Sequence, residues 1–434
     1  MYQVPVDELA AASNSAVGMA LTDASYILDE AQHRPLLPSE IRGFIGMINT
    51  PDFSTIKSMV LDCSAGVRAK KYGHSVVTVS PVEVSNRCAS NCDFCGWRAD
   101  NAQMGRLIID EEMVDIQTQY LLEKGIDDIE LVGGDDMQFV RDALPVLLRR
   151  LQSRFPASSG RQLLFSTMAL TEQQYRNLAT CGADGMISWQ ETYDETLYNK
   201  HISRGPKSRG IDDDFRIVKN GNGFLFRLQS QDRAAKAGLN VSVGSMLGLH
   251  KDVAFDVLAT VHHARYLCRT YAPVRPLIVG MPTWNKLTTP ETDNRPEQVL
   301  DIEECFSFVA SLYLLALSDL NVWVFPTCRV SMESHLEAVR AAGAYTSTEV
   351  KTGPGGYLVD ALRNVKPQLR QATIENVCGE LAGEKINGNV LLKRLQFFEQ
   401  FQHYHYTHEE FVRALEAAGI SVARRARPVD LPAV

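Results

Sequence analysis

The sequence predicts an α/β protein built on a complete (β/α)8 TIM-type barrel, with helical extensions at its N- and C-terminal ends. Two observations predict this fold. Eight short β-rich runs recur after residue 74, and amphipathic stretches at helical spacing separate them. Eight alternating units are what a closed parallel barrel requires. We therefore expect an N-terminal helical extension over 1–74, the barrel over 75–360 and a C-terminal helical extension over 361–434.

The predicted elements follow one another in order along the chain. The strand candidates are SVVTVSPVEV, DDIELVG, QLLFSTM, DGMISWQ, NVSVGSML, RPLIVGMP, NVWVFPT and AYTSTEV. The helix candidates between them are EEMVDIQTQYLLEKG, QFVRDALPVLLRRLQSRF, EQQYRNLATCG, DRAAKAG, VAFDVLATVHHARYLCRTY, EECFSFVASLYLLALSD and MESHLEAVRAAG, and several of these end in Gly, as helix C-caps often do. TDASYILDEAQ and PSEIRGFIGMIN predict helices before the barrel, and LLKRLQFFEQF and THEEFVRALEAAG predict helices after it.

Composition excludes several classes of protein. The 434 residues are 45% hydrophobic and 22% charged, which is ordinary for a soluble protein with a large core. Lys and Arg total 44 against 52 for Asp and Glu, a net charge of −8, so neither nucleic acid nor an anionic membrane is an expected partner. The N-terminus lacks the basic start of a signal peptide, and the apolar stretch near residues 306–320 is too short to span a bilayer. We expect a soluble, cytoplasmic protein.

Three of the nine cysteines lie close together in the sequence. An odd number of cysteines without a signal peptide disfavours a disulfide framework and favours a metal site or a reactive thiol. Cys88, Cys92 and Cys95 fall within SNRCASNCDFCGW, whereas the other six are scattered singly. Spacings of four and three residues allow these thiolates to bind three irons of a cuboidal cluster. The fourth iron is then left without a protein ligand.

A structural zinc site is the alternative for these three thiols. Such a site normally has four protein ligands and a second Cys or His pair at short spacing, and no such pair is present. His74 and Asp93 are the nearest candidates for a fourth ligand. His74 lies across an apparent strand from Cys88, and Asp93 lies inside the loop.

The segment CASNCDFC, with Phe94 before the last cysteine, resembles the CxxxCxxC motif of the radical S-adenosylmethionine (SAM) superfamily. In that family the three cysteines hold one 4Fe-4S cluster, the open iron binds SAM, and one electron cleaves SAM to a 5′-deoxyadenosyl radical. The resemblance implies that Cys88, Cys92 and Cys95 are the cluster ligands and that Phe94 contacts the cofactors. It also implies an electron donor such as flavodoxin or ferredoxin. The loop follows the first strand candidate, the end at which barrel enzymes place their chemistry.

The second strand candidate ends in LVGGDDM. Gly133 and Gly134 permit close backbone approach, and Asp135 and Asp136 place carboxylates beside it. A βα turn that caps the next helix would use the same residue types. The segment resembles the family's Gly-Gly-Glu turn, which binds the amino group of SAM. Because Asp replaces Glu, either Asp135 or Asp136 could make this contact.

The fourth strand candidate continues into SWQETYDETLY, HISRGPKSRG and FRLQSQDRAAKAGL, which resemble the aromatic amino-acid lyase branch of the superfamily. That branch contains tyrosine and tryptophan lyases. The resemblance implies that Glu191 and Arg227 line the SAM pocket and that Tyr193 contacts the substrate. An apparent insertion over 217–223 leaves Arg216 as the alternative to Arg227, and a simple salt bridge is the alternative role for Glu191.

The seventh strand candidate ends in WVFPTCRVSMESH. Arg329 matches the position from which these lyases hold the substrate carboxylate, a task that suits a planar guanidinium group. Ser347 and Thr348, after the eighth strand candidate, could add hydroxyl contacts or could simply belong to the strand.

The resemblance implies a radical SAM enzyme that uses the 5′-deoxyadenosyl radical to abstract hydrogen from a small amino acid. Tyrosine and tryptophan are the first candidates, and the expected outcome is Cα bond fragmentation or rearrangement, as in a carbon–carbon lyase. A biotin-synthase-like or hydrogenase-maturation-like enzyme acting on another small molecule is one alternative. A non-catalytic iron–sulfur carrier is the alternative of a different class.

Several other residues are not expected to bind metal. His262 and His263 lie in a predicted outer helix, and Cys378 is the only cysteine of its region, so a second cluster is not expected. Three histidines near the end of the sequence, His403, His405 and His408, are assigned to a docked C-terminal helix.

Overall fold

The computed structural model of the chain describes residues 1–9, 18–126, 128–155, 161–288, 300–358 and 399–423. Its strands are β1 (Ser75–Ser85), β2 (Asn91–Cys92), β3 (Asp128–Gly133), β4 (Leu163–Ser166), β5 (Gly185–Met186), β6 (Ile202–Arg204), β7 (Ser242–Val243), β8 (Leu277–Met281), β9 (Val322–Pro326), β10 (Tyr345–Ser347) and β11 (Ser421–Val422). Each of the eight predicted strands has a counterpart among them. The β2, β6 and β11 strands were not predicted.

Each helix candidate except LLKRLQFFEQF also has a counterpart, whereas the 20-residue helix Phe53–Tyr72 was not among the candidates. The helices are α1 (Leu21–Ala31), α2 (Pro38–Ile45), α3 (Phe53–Tyr72), α4 (Glu111–Lys124), α5 (Leu144–Arg154), α6 (Glu172–Thr180), α7 (Glu195–His201), α8 (Pro206–Arg209), α9 (Gly223–Leu228), α10 (Ser230–Lys236), α11 (Val253–Tyr271), α12 (Ile302–Ala316), α13 (Met332–Ala341) and α14 (His408–Ala417). A π-helical turn, Phe139–Ala143, precedes α5. It ends just before Pro145, which has no N–H to donate to the preceding turn. Within the described ranges no helix combines the length and apolar character that crossing a membrane requires.

Apart from the antiparallel pair of β2 and β6, the strands form two parallel sheets. In the larger sheet the order is β10-β1-β3-β4-β5, with Val79 of β1 opposite both Ser347 and Asp128. The smaller sheet has the order β7-β8-β9. Every residue of β8 and β9 is buried, as expected for parallel strands covered on both faces. The chain is therefore a parallel α/β protein.

The two sheets contact each other along both of their edges. On one side Gly185 forms a parallel bridge with Asn240, and Glu191 forms another with Ser245. On the other side the Ala344 N–H donates to the Val324 carbonyl oxygen at 3.1 Å. These contacts bring the carboxyl ends of both sheets to one face of the molecule.

The helices before β1 are fixed to the outer layer by buried cations at the end of α3. Arg68 donates to the carbonyl oxygens of Val339 and Gly343 at 3.0 and 2.8 Å, and Lys71 donates to that of Ser318 at 2.9 Å. These cations satisfy carbonyl groups at or after the C-terminal ends of α12 and α13, where positive charge is favourable.

The C-terminal segment combines a helix with a short strand. Thr407 caps α14 through a reciprocal hydrogen-bonded box with Glu410, in agreement with the helix predicted in THEEFVRALEAAG. The residues after α14 form β11, which adds to the larger sheet by pairing in parallel with the start of β1. Most of LLKRLQFFEQF, and Cys378, lie outside the described residues.

Candidate active site

A deep cavity opens at the carboxyl ends of the strands. Its empty volume, with the open solvent at its mouth included, is about 1360 Å³. The predicted site residues that line it are Cys88, Cys92, Phe94, Cys95, Gly133, Gly134, Asp135, Glu191, Arg227, Arg329 and Ser347. The predicted site residues outside its lining are Asp136, Tyr193 and Thr348.

The loop that carries the three cysteines is held in place by backbone hydrogen bonds. The Ala89 N–H donates to the Asp135 carbonyl oxygen at 2.9 Å, and the Asp93 N–H donates to the His201 carbonyl oxygen at 3.1 Å. The short β2 strand pairs antiparallel with β6 in the same region. All three thiols line the cavity, and none of them forms a disulfide.

The geometry disfavours the proposed fourth ligands of a zinc site. His74 precedes β1, whose eleven residues span roughly 35 Å, whereas the cysteines follow its opposite end. The Asp93 carboxylate lies 2.9 Å from the His201 imidazole, within hydrogen-bonding distance.

The three thiols have the chemistry of metal ligands. Burial raises the pKa of Cys95 to about 12 and the pKa values of Cys88 and Cys92 even higher. Thiols in such surroundings become thiolates when a bound cation compensates for their charge. Three sulfur donors on one loop that all line the same cavity fit a 4Fe-4S cluster that keeps one iron open.

The Gly133–Asp136 turn contacts this loop directly. A β-carbon added at Gly134 would lie 2.2 Å from the Arg87 carbonyl oxygen and 3.0 Å from the Cys88 β-carbon. Asp135 lines the cavity with 8% of its surface exposed, and its Oδ2 atom has no hydrogen-bond partner. Asp136 instead accepts hydrogen bonds from the Gln138 and Phe139 N–H groups. Of the two acidic residues, only Asp135 offers its carboxylate to a ligand in the cavity.

Replacing Gly134 by alanine is expected to displace the cysteine loop and to reduce the iron bound per chain at least several-fold. The added methyl group would contact backbone atoms that cannot rotate away. Gly66→Ala in α3 is the matched control because a β-carbon there meets nothing within 4 Å. Iron and sulfide analysis after anaerobic reconstitution measures the effect, and equal iron content in both variants would contradict it.

A buried group of charges lies beside the cysteines. Glu191 follows β5 with φ of +72°, a conformation that is uncommon for a residue other than glycine. Its Oε1 atom is 2.5 Å from Lys207 Nζ and 3.5 Å from Arg227 Nη2. Burial alone would raise the pKa of Glu191, but these two cations hold it below its ordinary value. The group keeps one excess positive charge, which suits an anionic group of a ligand.

Arg227, rather than Arg216, belongs to this group. Its Nε–H donates to the Trp189 carbonyl oxygen at 2.6 Å, whereas the Arg216 side chain is largely exposed and pairs with Asp214. Lys207 was not singled out in the sequence, although it is the lysine of the Gly-Pro-Lys loop that carried part of the resemblance. Its ammonium group also lies 5.4 Å from the centre of the Phe94 ring.

Arg329 lies on another wall of the cavity. Its guanidinium carbon is 4.3 Å from the centre of the Phe401 ring, so the aromatic face supports the cation. Ser347 lines the same cavity and accepts a hydrogen bond from the Cys328 N–H at 3.1 Å. Thr348 is instead within hydrogen-bonding distance of His408.

Tyr193 has a packing role in the structure. Its hydroxyl group lies 3.0 Å from His263 Nδ1, and its backbone N–H donates to Asp256 at 2.8 Å. The His263 ring is stacked on Tyr2, which agrees with its assignment as a packing residue. Neither Tyr193 nor His263 lines the cavity.

Two buried carboxyl groups in the cavity were not predicted. Glu83 on β1 and Glu130 on β3 both line it, and Glu83 Oε2 has no hydrogen-bond partner. Burial raises the pKa of Glu130 to about 8, and burial together with Glu130 raises the pKa of Glu83 well above its usual range. A cationic or hydrogen-donating ligand group would pair with them.

Glu130→Gln is expected to become progressively more stable relative to the native protein as the pH rises. Between pH 4.5 and about 8 the unfolded chain has lost the Glu130 proton while the folded chain retains it, so the native protein loses stability over this range. Glutamine removes this loss. The thermal unfolding midpoint of Glu130→Gln, measured relative to that of the native protein, should therefore rise by a few degrees between pH 6 and pH 9.

Glu416→Gln is the control for this experiment because Glu416 lies on the exposed face of α14. The difference between its thermal unfolding midpoint and that of the native protein should stay constant over the same pH range. A constant difference for Glu130→Gln as well would show that the native Glu130 is already ionised at pH 6.

No family model matches the chain. The 2-iminoacetate synthase of Salmonella typhimurium is 25% identical over 308 residues, which cover 70% of this chain and 72% of that protein. The 2-iminoacetate synthase of Escherichia coli is 26% identical over 294 residues, which cover 66% of this chain and 70% of that protein.

A solved structure of HydG, a maturase of the FeFe-hydrogenase, has a TM-score of 0.74 at 20% identity and covers 96% of this chain and 79% of that chain. Methylornithine synthase (PylB) has a TM-score of 0.64 at 15% identity and covers 92% of this chain and 98% of that chain. These two likenesses show a shared fold. The sequence relatives confirm the resemblance that the cysteine motif and the SWQETYDETLY segment indicated: the chain is similar to radical SAM enzymes of the aromatic amino-acid lyase branch.

Proposed function

We propose that the protein is a radical SAM carbon–carbon lyase that acts on a small amino acid, with tyrosine and tryptophan as the first candidates. One observation carries the proposal. A single cavity contains the three thiols of the cysteine loop, the Glu191–Lys207–Arg227 charge group and Arg329. This arrangement supports a cluster site, a SAM site and a carboxylate-binding cation that share one chamber.

The cofactors would be held by residues from three strand ends. Cys88, Cys92 and Cys95 would bind a 4Fe-4S cluster, and Asp135, Glu191 and Arg227 would bind SAM. The unpaired Asp135 carboxylate supports its assignment to an amino group, since a buried polar atom normally has a partner. When bound and supplied with an electron from a donor such as flavodoxin or ferredoxin, these cofactors provide a 5′-deoxyadenosyl radical.

The substrate would be anchored by Arg329 through its carboxylate. The guanidinium group presents two parallel donors, and the Phe401 ring restricts its orientation. Glu83 and Glu130 would pair with the amino group or with a ring donor such as a phenol or an indole N–H. The buried walls exclude water, which protects a reactive carbon radical from side reactions.

We further infer that the two parallel sheets close into a complete (β/α)8 barrel over 75–360, with helical extensions over 1–74 and 361–434. The bridge between Gly185 and Asn240 and the hydrogen bond between Ala344 and Val324 support closure at the two seams. A soluble, cytoplasmic location stays a prediction.

The test is anaerobic. The reconstituted protein is incubated with dithionite and SAM, and 5′-deoxyadenosine is quantified without addition and with each of the amino acids. Stimulation by tyrosine, tryptophan or one other amino acid is expected, with fragments of that amino acid as products. Unstimulated formation would overturn the amino-acid assignment, and no formation by a protein with an intact cluster would favour the iron–sulfur carrier.

A further inference from the structure

The mouth of the cavity is bordered by residues 399–407, named here the covering segment. The Gln400 carbonyl oxygen accepts a hydrogen bond from the Gly96 N–H at 2.8 Å, next to the last cysteine of the loop. The Gln400 N–H donates to Thr352 at 3.1 Å, and the Gln402 N–H donates to Lys286 at 2.6 Å. Phe401 and His403 line the cavity. The segment is therefore not the helix that the sequence predicted, and it contributes part of the cavity lining.

Three metal-ligating side chains come together in the covering segment. One ligand atom each from Glu399, His403 and His405 lies within 4.8 Å of the others. Glu399 Oε1 is 3.5 Å from His403 Nε2, and the two imidazole centroids are 4.3 Å apart. Two imidazoles and a carboxylate are the donor set of many zinc and non-haem iron sites.

The hydrogen bonding of His403 prepares it to be a ligand. Its Nδ1 atom is 2.9 Å from the Tyr404 carbonyl oxygen, which can only accept, so Nδ1 carries the proton. In the neutral ring the lone pair is then on Nε2. The side chain is only 1% exposed, and Nε2 has no hydrogen-bond partner. Metal-bound histidines typically donate their other N–H to a backbone carbonyl in this way.

The same geometry requires a positive charge between the side chains. A lone pair on Nε2 and the carboxylate of the buried Glu399 repel each other at 3.5 Å unless a proton or a metal ion lies between them. Metal bonds of about 2.0–2.2 Å place two ligands of one ion about 3–3.5 Å apart. Glu399 and His403 meet this spacing, and His405 has a ring nitrogen within 4.8 Å of both ligand atoms.

We propose that Glu399, His403 and His405 form a binding site for a divalent transition-metal ion, separate from the cysteine loop. The ion would fix the covering segment over the cavity mouth and would hold His403 in the chamber wall. The rival explanation is a protonated His403 paired with Glu399, without a metal. The proposal does not depend on the reaction that the protein catalyses.

The experiment titrates the cluster-loaded, EDTA-washed full chain with Zn²⁺ under anaerobic conditions and measures zinc and iron per chain after desalting. One zinc per chain beyond the cluster iron is expected. Glu399→Gln and His405→Ala should each weaken zinc binding at least tenfold, with iron content unchanged. His33→Gln, at an exposed position far along the chain, is the control and should bind zinc as the native protein does.

Each outcome is decisive. Because His405 is exposed, His405→Ala tests the site without disturbing the core. No retained zinc, or zinc that His405→Ala retains with native affinity, would overturn the proposal in favour of the His403–Glu399 ion pair or of binding elsewhere. Cobalt(II) bound in place of zinc should give nitrogen hyperfine couplings from two imidazoles in pulsed EPR. None of these readouts requires SAM cleavage, so the site and the proposed lyase function can fail independently.

Discussion

Replacing Cys92 by alanine is expected to abolish 5′-deoxyadenosine formation, with a loss of at least a thousandfold. Cys92 is buried and is the middle cysteine of the loop, which lies close against the Gly134 backbone. Without its sulfur, one iron loses its only protein ligand, and a cuboidal cluster held by two thiolates is not expected to survive. The measurement combines iron and sulfide content, the visible absorbance of the cluster and nucleoside formation.

Cys268→Ala is the matched control for this variant. Cys268 lies in α11 and does not line the cavity. This variant should retain the native iron content and the native rate. If Cys92→Ala assembled a full cluster and cleaved SAM, the assignment of the three cysteines would be wrong.

Replacing Arg329 by alanine is expected to lower kcat/KM for the amino acid by about 10²–10⁴-fold. Losing one partner of a buried, hydrogen-bonded charge pair costs about 3–5 kcal/mol, because the other charge remains unpaired. Arg329→Lys should recover only part of this loss, since lysine keeps the charge but lacks the planar fork that lies over Phe401.

The Arg329 prediction separates substrate binding from cofactor binding. SAM cleavage in the absence of an amino acid should change little in Arg329→Ala, whereas Glu191→Gln should impair it. Arg340→Gln, at an exposed position on α13, is the control and should behave like the native protein. If Arg329→Ala lost as much SAM cleavage in the absence of an amino acid as Glu191→Gln does, Arg329 would be assigned to cofactor binding instead.

The sequence predicted those parts of the fold and the site that depend on local patterns. The eight strands were recognisable because parallel strands are rich in β-branched and apolar residues. The cysteine loop was recognisable because its three cysteines lie within eight residues. Asp135 could be separated from Asp136 only in the structure, where Asp136 accepts two backbone hydrogen bonds.

The site residues that the sequence did not predict are brought to the cavity by long-range packing. Glu83 and Glu130 lie in strands buried on both faces, so an alternating pattern could not show which side chains point into the chamber. Lys207 pairs with Glu191 from the short helix α8. His403 and His405 were assigned to a helix, but they lie in an irregular segment that hydrogen bonds to Gly96, Thr352 and Lys286 fix in place.

The most direct test of the central claim follows hydrogen from the amino acid into the nucleoside. The holoenzyme is incubated with SAM, dithionite and tyrosine or, separately, tryptophan, once with ordinary amino acid in D₂O and once with carbon-deuterated amino acid in H₂O. The account predicts one deuterium per 5′-deoxyadenosine in one of these arms, which also identifies the donor as N–H or C–H. Nucleoside that forms without deuterium in every arm would contradict hydrogen transfer from an aromatic amino acid held in this cavity.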